Sequence, residues 1–179
     1  MRALRQGVER RSRGVSRKWK IAVGWVAAIV IVDQITKAIV DRSMLLHDSI
    51  PLIDGVFNLT YIRNTGAAFG IFAGSNEVFR LPFLIGVSIL AIGFILVMLK
   101  RLRESETGLA AALAFILGGA IGNLIDRIFY GEVIDFLDVY WSHYHWPAFN
   151  VADSFITVGV AITLFYLIKA KGDDPFAAP

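Results

Sequence analysis

The chain contains no cysteine among its 179 residues. Disulfide bonds, thiolate metal sites and a cysteine nucleophile are therefore excluded, and the redox compartment cannot be inferred from cysteine usage. Charged residues are also scarce, at 18%, whereas hydrophobic residues make up 56%. A chain of this length corresponds to about one domain, and its composition is too apolar for an ordinary soluble protein. The composition predicts an integral membrane protein.

Acidic residues are nearly absent from the first twenty positions, where Glu9 stands against eight lysines and arginines. This segment also lacks an apolar face, so we expect residues 1–20 to form a mobile basic tail. A basic tail beside a membrane segment favours an anionic membrane surface as its partner, and we expect no nucleic acid. The main effect of the tail would be to orient the chain in the membrane.

Four apolar stretches are each close to the roughly 20 residues that a helix needs to cross a bilayer. They cover residues 21–40, 77–99, 108–129 and 150–168. The first could instead be a secretory signal, but no small-residue cleavage site follows it and the stretch reaches full membrane length. We therefore predict an all-α integral membrane protein with one four-helix domain over residues 21–171, followed by a disordered tail over residues 172–179.

Two longer connections, residues 41–76 and 130–149, separate these stretches. In the first, the β-branched and aromatic run from Val56 to Ile62 predicts a short strand or hairpin, and turns follow from Asn64 to Gly70. Basic residues are concentrated in the other connection, from Lys100 to Arg103, and at both ends of the chain. The positive-inside rule places these basic segments in the cytoplasm and both longer connections outside.

Several polar groups lie within or beside the apolar stretches. An ionisable group in lipid costs several kcal/mol, so each one indicates a functional site by default. A helix rises about 1.5 Å per residue, which brings groups from separate stretches to one layer in the outer half of the membrane. The residues concerned are Asp33, Asn123, Asp126 and Asp153, with Asp135 and Asp138 at the same interface. This convergence is the strongest prediction from the residues alone.

Two of these acids have an amide three residues before them, which shares their face if the segment is helical. The pairs are Asn123 with Asp126 and Asn150 with Asp153, and both could face one site. A helix cap is the alternative role for Asn150. For Asp126 and Asp33 the alternative role is an ion pair. Arg127 directly follows Asp126, and Lys37 lies one helical turn after Asp33. The glycines of the third stretch are more typical of close helix packing than of ligand contact.

Two carboxylates in a poorly solvated place cannot both ionise easily, so one pKa rises and the pair holds a single proton. The ionised member can take a proton from water that attacks a carbonyl, while the protonated member polarises that carbonyl and later protonates the leaving nitrogen. This chemistry is aspartyl peptide hydrolysis. Ser154 has no histidine near it in sequence, and His143 with His145 fits an interfacial loop better than a zinc site. We expect neither a metal nor a cofactor.

Five motifs occur in the order found in one known family. They are DQITK at 33–37, NTGAAFG at 64–70, GGAIGNLIDR at 118–127, VIDF at 133–136 and PAFNVADS at 147–154. Any one motif alone would be weak evidence of a relationship. With all five motifs in this order, the chain resembles lipoprotein signal peptidase, also called signal peptidase II, a bacterial aspartyl peptidase of the inner membrane.

The resemblance implies four membrane helices, a small extracytoplasmic β-sheet and a short helix flanking the site. It assigns the catalytic pair to Asp135 and Asp153, whereas the residues alone would rank Asp126 beside them. It assigns substrate-binding or supporting roles to Asp33, Lys37, Asn64, Gly66, Asn123, Asp126, Arg127 and Asn150.

By the same resemblance, the substrate is a prolipoprotein that carries a diacylglyceryl group on its cysteine and is cleaved just before that cysteine. The site would lie at the extracytoplasmic face of the inner membrane, in a monomer surrounded by membrane lipids, and the family inhibitor globomycin would bind there. A small proton-coupled transporter is an alternative, but it would require an inverted repeat and a midplane site. A membrane scaffold would leave the intramembrane polar positions unexplained.

Overall fold

The structure is a computed structural model that describes residues 16–66, 72, 74, 76–169 and 175–176. The helices are α1 (Arg17–Ser43), α2 (Glu77–Arg101), α3 (Thr107–Tyr130) and α4 (Val151–Lys169). The strands are β1 (Ser49–Ile53), β2 (Phe57–Asn64), β3 (Val133–Trp141) and β4 (Tyr144–His145). The four predicted helices are confirmed, although α1 begins at Arg17 rather than Ile21. The last four residues of the predicted basic tail are therefore helical, and residues 1–15 lie outside the described part.

All four helices are long and apolar enough to cross a membrane. Large apolar side chains are exposed along them, such as Leu90 and Phe94 of α2 and Ile168 of α4. Contiguous apolar surface of this kind fits contact with lipid rather than with water. The central helix is α3, which is far more buried than the other three and packs against each of them.

Glycines allow α3 to approach its neighbours closely. A Cβ atom at Gly119 would overlap the carbonyl oxygen of Ala152, and one at Gly159 would lie 2.7 Å from a main-chain oxygen of α3. A Cβ atom at Gly122 would lie 2.6 Å from the Oδ2 atom of Asp33. The packing role predicted for the glycines of the third stretch is confirmed. Because the helix backbones lie this close, short polar side chains of α1, α3 and α4 can reach one another.

The four strands form one antiparallel sheet in the order β1-β2-β3-β4. The hairpin predicted around Val56 to Ile62 is present as β1 and β2, but β3 and β4 lie in a segment that the sequence predicted to be a loop. That prediction missed β3 because two acids, Asp135 and Asp138, interrupt its apolar residues. The short helix implied near the site is not found among the described residues.

Arg63 of β2 joins the sheet to the ends of two helices. Its guanidinium pairs with Asp41 of α1 and lies 3.6 Å from Glu132, which follows α3. It also lies over the ring of Tyr130, 5.4 Å from the ring centroid. The Tyr61 hydroxyl donates a further hydrogen bond to Asp41. These contacts hold β2, and with it the paired strand β3, in a fixed position above the helices.

Two residues of the predicted disordered tail are packed in the structure. Phe176 contacts the apolar core formed by α1, α2 and α3, and the carbonyl of Pro175 accepts a hydrogen bond from the Arg103 N–H group at 3.1 Å. Pro175 and Phe176 are therefore ordered, in contrast to the disorder predicted for residues 172–179. The other residues of that segment lie outside the described part.

Close packing of α3 against α4 gives a test of the fold. We expect Gly119→Ala to lower the free energy of unfolding by about 1 to 3 kcal/mol, because the new methyl group must push the two helices apart. Gly93→Ala in α2 is the matched control, since nothing lies within 4 Å of a Cβ atom there. Thermal unfolding in detergent would measure both variants, and an unchanged melting temperature for Gly119→Ala would contradict the packing described here.

Candidate active site

Buried polar side chains from three helices and the sheet meet in one hydrogen-bonded network. The prediction that these groups come together is therefore confirmed for most of the residues concerned. The network contains Asp33 and Lys37 from α1, Asn123 and Asp126 from α3, Asp135 from β3, Asn150 immediately before α4 and Asp153 in the first turn of α4.

Lys37 lies at the centre of the part of the network within the helices, where it is 2% exposed. Its Nζ atom lies 2.8 Å from Asp33 and 2.9 Å from Asp126, and it donates to the Oδ1 atom of Asn123 at 3.0 Å. The predicted pair with Asp33 is confirmed. Asp126 pairs with Lys37 across the helix contact rather than with Arg127, because adjacent residues of a helix point in different directions.

Two asparagines connect this lysine to the other acids. Asn123 accepts from Lys37 and donates from its Nδ2 atom to Asp153 at 2.7 Å. Asn150 accepts from the Asp153 N–H group at 2.9 Å, and its Nδ2 atom donates to Asp135 at 2.8 Å. The capping role that was one alternative for Asn150 is therefore confirmed. Asn150 also links Asp153 of α4 to Asp135 of β3.

A second set of contacts approaches Asp135 from the end of β2. The Nδ2 atom of Asn64 donates to Asp135 at 3.0 Å, and the Oδ1 atom of Asn64 accepts from the Gly66 N–H group at 2.9 Å. The carbonyl of Gly66 in turn accepts from the Arg127 guanidinium at 3.1 Å. Asn64, Gly66 and Arg127 therefore form one connected side of the site.

Asp135 and Asp153 both line one cavity of about 690 Å³. Asp135 is only 2% exposed, and burial raises the pKa of its carboxyl group from the ordinary value of 3.8 to about 7. The value of about 7 is a net result, to which burial contributes most, since the negative charge of Asp153 also raises the pKa of Asp135 while hydrogen bonds from Asn64 and Asn150 lower it. Near neutral pH, Asp135 is therefore divided between its protonated and its ionised form.

Most of the cavity wall is apolar and comes from α2, α3, α4 and the segment before α4. Two of the lining residues, Val87 of α2 and Val158 of α4, are each 47% exposed on the surface of the helical bundle. The cavity therefore extends from the buried carboxylates to the apolar outer surface between α2 and α4. This wall offers an apolar chain a surface that runs from the outside of the helical bundle to the acids.

Asp138 was predicted at the same interface as the other acids but lies outside the network. It accepts a hydrogen bond from Asn58 at 2.9 Å and contacts the Nδ1 atom of His145 at 3.0 Å. Three residues along a strand reverse the direction of the side chain, so Asp138 and Asp135 face opposite sides of β3. The Ser154 hydroxyl donates to the carbonyl of Asn150 at 2.9 Å, so it is engaged with the backbone at the start of its own helix.

One participant was not predicted from the sequence. The Nε2 atom of Gln34 donates to Asp126 at 2.9 Å. The sequence did contain a signal for this role, because Gln34 is a polar residue inside an apolar stretch, between Asp33 and Lys37. Among the described residues, no group of three or more histidine, aspartate or glutamate side chains is arranged to hold a metal ion.

Comparisons with known proteins agree with this architecture. The family model for signal peptidase (SPase) II matches residues 25–169. Relatives named lipoprotein signal peptidase include that of Geobacter sulfurreducens, 56% identical over 82% of this chain and 90% of the relative. Another is that of Geobacillus kaustophilus, 42% identical over 86% of this chain and 100% of the relative.

Solved structures of bacterial membrane enzymes share the fold. A bacterial membrane enzyme solved by the in meso method aligns with a TM-score of 0.78 and 31% identity, over 89% of this chain and 94% of that chain. A second such enzyme aligns with a TM-score of 0.74 and 33% identity, over 84% and 94% of the two chains. The resemblance drawn from the five motifs is confirmed, and the chain belongs to the signal peptidase II family of multi-pass membrane peptidases.

Proposed function

We propose that the protein is an aspartyl endopeptidase that removes the signal peptide from diacylglyceryl-modified prolipoproteins by cleaving just before the lipidated cysteine. Family membership supports prolipoproteins as the substrate class. The observation that carries the mechanism is that Asp135 and Asp153 line one cavity that extends to the apolar surface between α2 and α4. A lipid-modified peptide can place its acyl chains along that surface while its peptide bond reaches the acids.

In the proposed mechanism, the two carboxylates share one proton. In the reactive state Asp135 carries that proton, and this state is partly populated near neutral pH because the pKa of Asp135 is about 7. Asp153 is ionised and takes a proton from the water that attacks the scissile carbonyl, while Asp135 donates a hydrogen bond to the carbonyl oxygen. The C–N bond then breaks as the leaving nitrogen receives a proton from the pair. No metal or cofactor takes part in these steps.

The other polar residues support the pair in this proposal. Asn64, Asn123 and Asn150 each donate a hydrogen bond to one of the two carboxylates and so fix its orientation. Asp33, Lys37 and Asp126 brace the elements behind them, and Gly66 with Arg127 holds the end of β2 beside the cavity. We also propose that the protein acts as a monomer surrounded by membrane lipids. The same cavity is the proposed binding site of globomycin.

We propose that both termini are cytoplasmic, with the sheet and the active site at the extracytoplasmic face of the inner membrane. The exposed basic residues Lys100 and Arg101 at the end of α2, and Arg17 and Lys20 at the start of α1, support this orientation. The domain over residues 21–171 would then carry all of the catalytic machinery. The transporter and scaffold alternatives are not retained, because the family is one of peptidases.

Substitution of either acid tests the catalytic pair. Asp135→Asn and Asp153→Asn should each lower cleavage of a diacylglyceryl prolipoprotein by at least about 10³-fold, because asparagine keeps the volume but cannot transfer the proton. Asp138→Asn is the matched control on β3 and should cleave at close to the wild-type rate. Purified proteins in detergent, with EDTA present throughout, would be compared by gel shift of the product. Wild-type turnover by either active-site variant would exclude the pair.

The pH dependence of cleavage follows from Asp135. A carboxyl group with a pKa of about 7 keeps its proton below that pH and loses it above. If Asp135 is the proton donor, kcat/KM should fall about tenfold per pH unit well above pH 7, as expected for one titrating acid. Measurement from pH 5 to 9 would test this, after control incubations show that the enzyme stays folded. A rate that stays constant up to pH 9 would contradict the assignment of the proton.

The absence of cysteine allows a direct test of orientation. His143→Cys between β3 and β4 and Ser105→Cys between α2 and α3 both lie at exposed positions. We expect a membrane-impermeant maleimide to label His143→Cys in intact spheroplasts and Ser105→Cys only after lysis. The wild-type chain is the unlabelled control. The reverse pattern of labelling would place the active site in the cytoplasm.

A further inference from the structure

The backbone immediately before each proposed catalytic acid is held by another carboxylate. The N–H group of Ala152 donates to the Oδ1 atom of Asp33 at 2.9 Å, and the N–H group of Ile134 donates to the Oδ2 atom of Asp126 at 3.2 Å. Both N–H groups belong to buried residues, and both acceptors are on membrane-spanning helices. The peptide groups that lead into the two catalytic side chains are therefore attached to α1 and α3.

These two carboxylates are attached to each other through Lys37, which lies within 2.9 Å of both. All three side chains are at most 2% exposed, so water does not screen their interaction. The separation of the catalytic acids is thus fixed by a chain of contacts that runs from Ala152 through Asp33, Lys37 and Asp126 to Ile134.

One carboxylate oxygen of Asp126 is held by a neutral side chain, that of Gln34. The Oδ2 atom of Asp126 already accepts from Lys37 and from Ile134, and its Oδ1 atom accepts from the Nε2 atom of Gln34 at 2.9 Å. The same Nε2 atom contacts the Gly122 carbonyl at 3.3 Å, which fixes the amide on the surface of α3. With Gln34 in place, the carboxylate of Asp126 cannot rotate without losing a hydrogen bond on each oxygen.

We propose that Gln34 is a positioning residue for the catalytic pair, acting through Asp126 on the backbone that carries Asp135. A neutral donor suits this place, because Lys37 already supplies one positive charge to two carboxylates and an amide adds a hydrogen bond without adding charge. The inference rests on the proposed function, since it concerns the alignment of the two acids for peptide hydrolysis.

Two substitutions at position 34 separate positioning from simple packing. Gln34→Leu removes the donor at similar volume, so the Oδ1 atom of Asp126 loses this hydrogen bond at every pH. Gln34→Glu keeps the shape but donates to Asp126 only when protonated, and it repels that carboxylate when ionised. The charged groups around this position are Asp33 and Lys37 on α1 and Asp126 on α3.

Beyond these groups, β3 and α4 contribute Asp135 and Asp153. Both charges are present in the wild-type protein as well as in the variants. A comparison of each variant with the wild type at the same pH removes the part of their titration that both proteins share, and Gln34→Leu, which adds no charge, is the reference for any shift that the added carboxylate of Gln34→Glu causes.

The experiment measures kcat and KM for the diacylglyceryl prolipoprotein from pH 5 to 9. We expect Gln34→Leu to lower kcat by about tenfold or more at every pH with KM within about twofold, since misalignment affects the chemical step. The kcat of Gln34→Glu relative to wild type should be closest to unity at pH 5 and should fall at least about tenfold by pH 8. Ser43→Ala, which removes a hydroxyl bonded to the α1 carbonyl of Ile39, should match wild type throughout.

Several results would overturn the proposal. The proposal is wrong if Gln34→Leu has the same kcat as the wild type. It is also wrong if Gln34→Glu lowers kcat by the same factor at every pH. If Gln34→Leu does not fold, the pH dependence of Gln34→Glu decides the question, since a packing defect alone would not recover at low pH. A wild-type protein that cleaves no prolipoprotein would reject the proposed function itself, and any positioning role with it, whereas active wild type with unaffected variants would reject only the role of Gln34.

Discussion

The pairing of one buried lysine with two carboxylates is the interaction on which the rest of the site depends. Lys37 lies between Asp33 and Asp126 at a depth where an unpaired charge would be costly, and removal of one partner of such a pair typically costs about 3 to 5 kcal/mol. The pairing requires α1 and α3 to lie close together, and Gly122 permits that approach. Close packing and charge pairing are therefore parts of one arrangement.

The two proposed catalytic acids come from different environments. Asp153 belongs to the first turn of a spanning helix, whereas Asp135 belongs to a strand outside the spanning helices, and Asn150 contacts both elements. Burial of Asp135 is what raises its pKa towards neutrality. The sheet therefore holds an acid with a pKa near neutrality beside the cavity that Asp153 also lines, where the proposed lipid-modified substrate would meet both acids.

The helices and the polar layer could be predicted because both have strong physical causes. Apolar runs of membrane length have few alternatives, and acids within them are costly enough to indicate a site, as Asp33 and Asp153 did. The strand β3 could not be predicted, since its two acids interrupt the apolar pattern. The partner of Asp126 could not be predicted either, because it depends on the rotation of α1 against α3. The roles assigned to the site residues remain predictions.

The cavity wall has a consequence for how the enzyme can diversify. Its α2 side is formed by Leu84, Val87 and Ala91, with Ser88 beside them. The carboxylates, amides and lysine of the network come from α1, α3, α4 and the sheet. The surface that an apolar chain would touch and the groups that would move protons are thus carried by separate parts of the fold. Side chains on α2 can change in size, and with them the shape of the chain that fits, while the geometry of the acids stays the same.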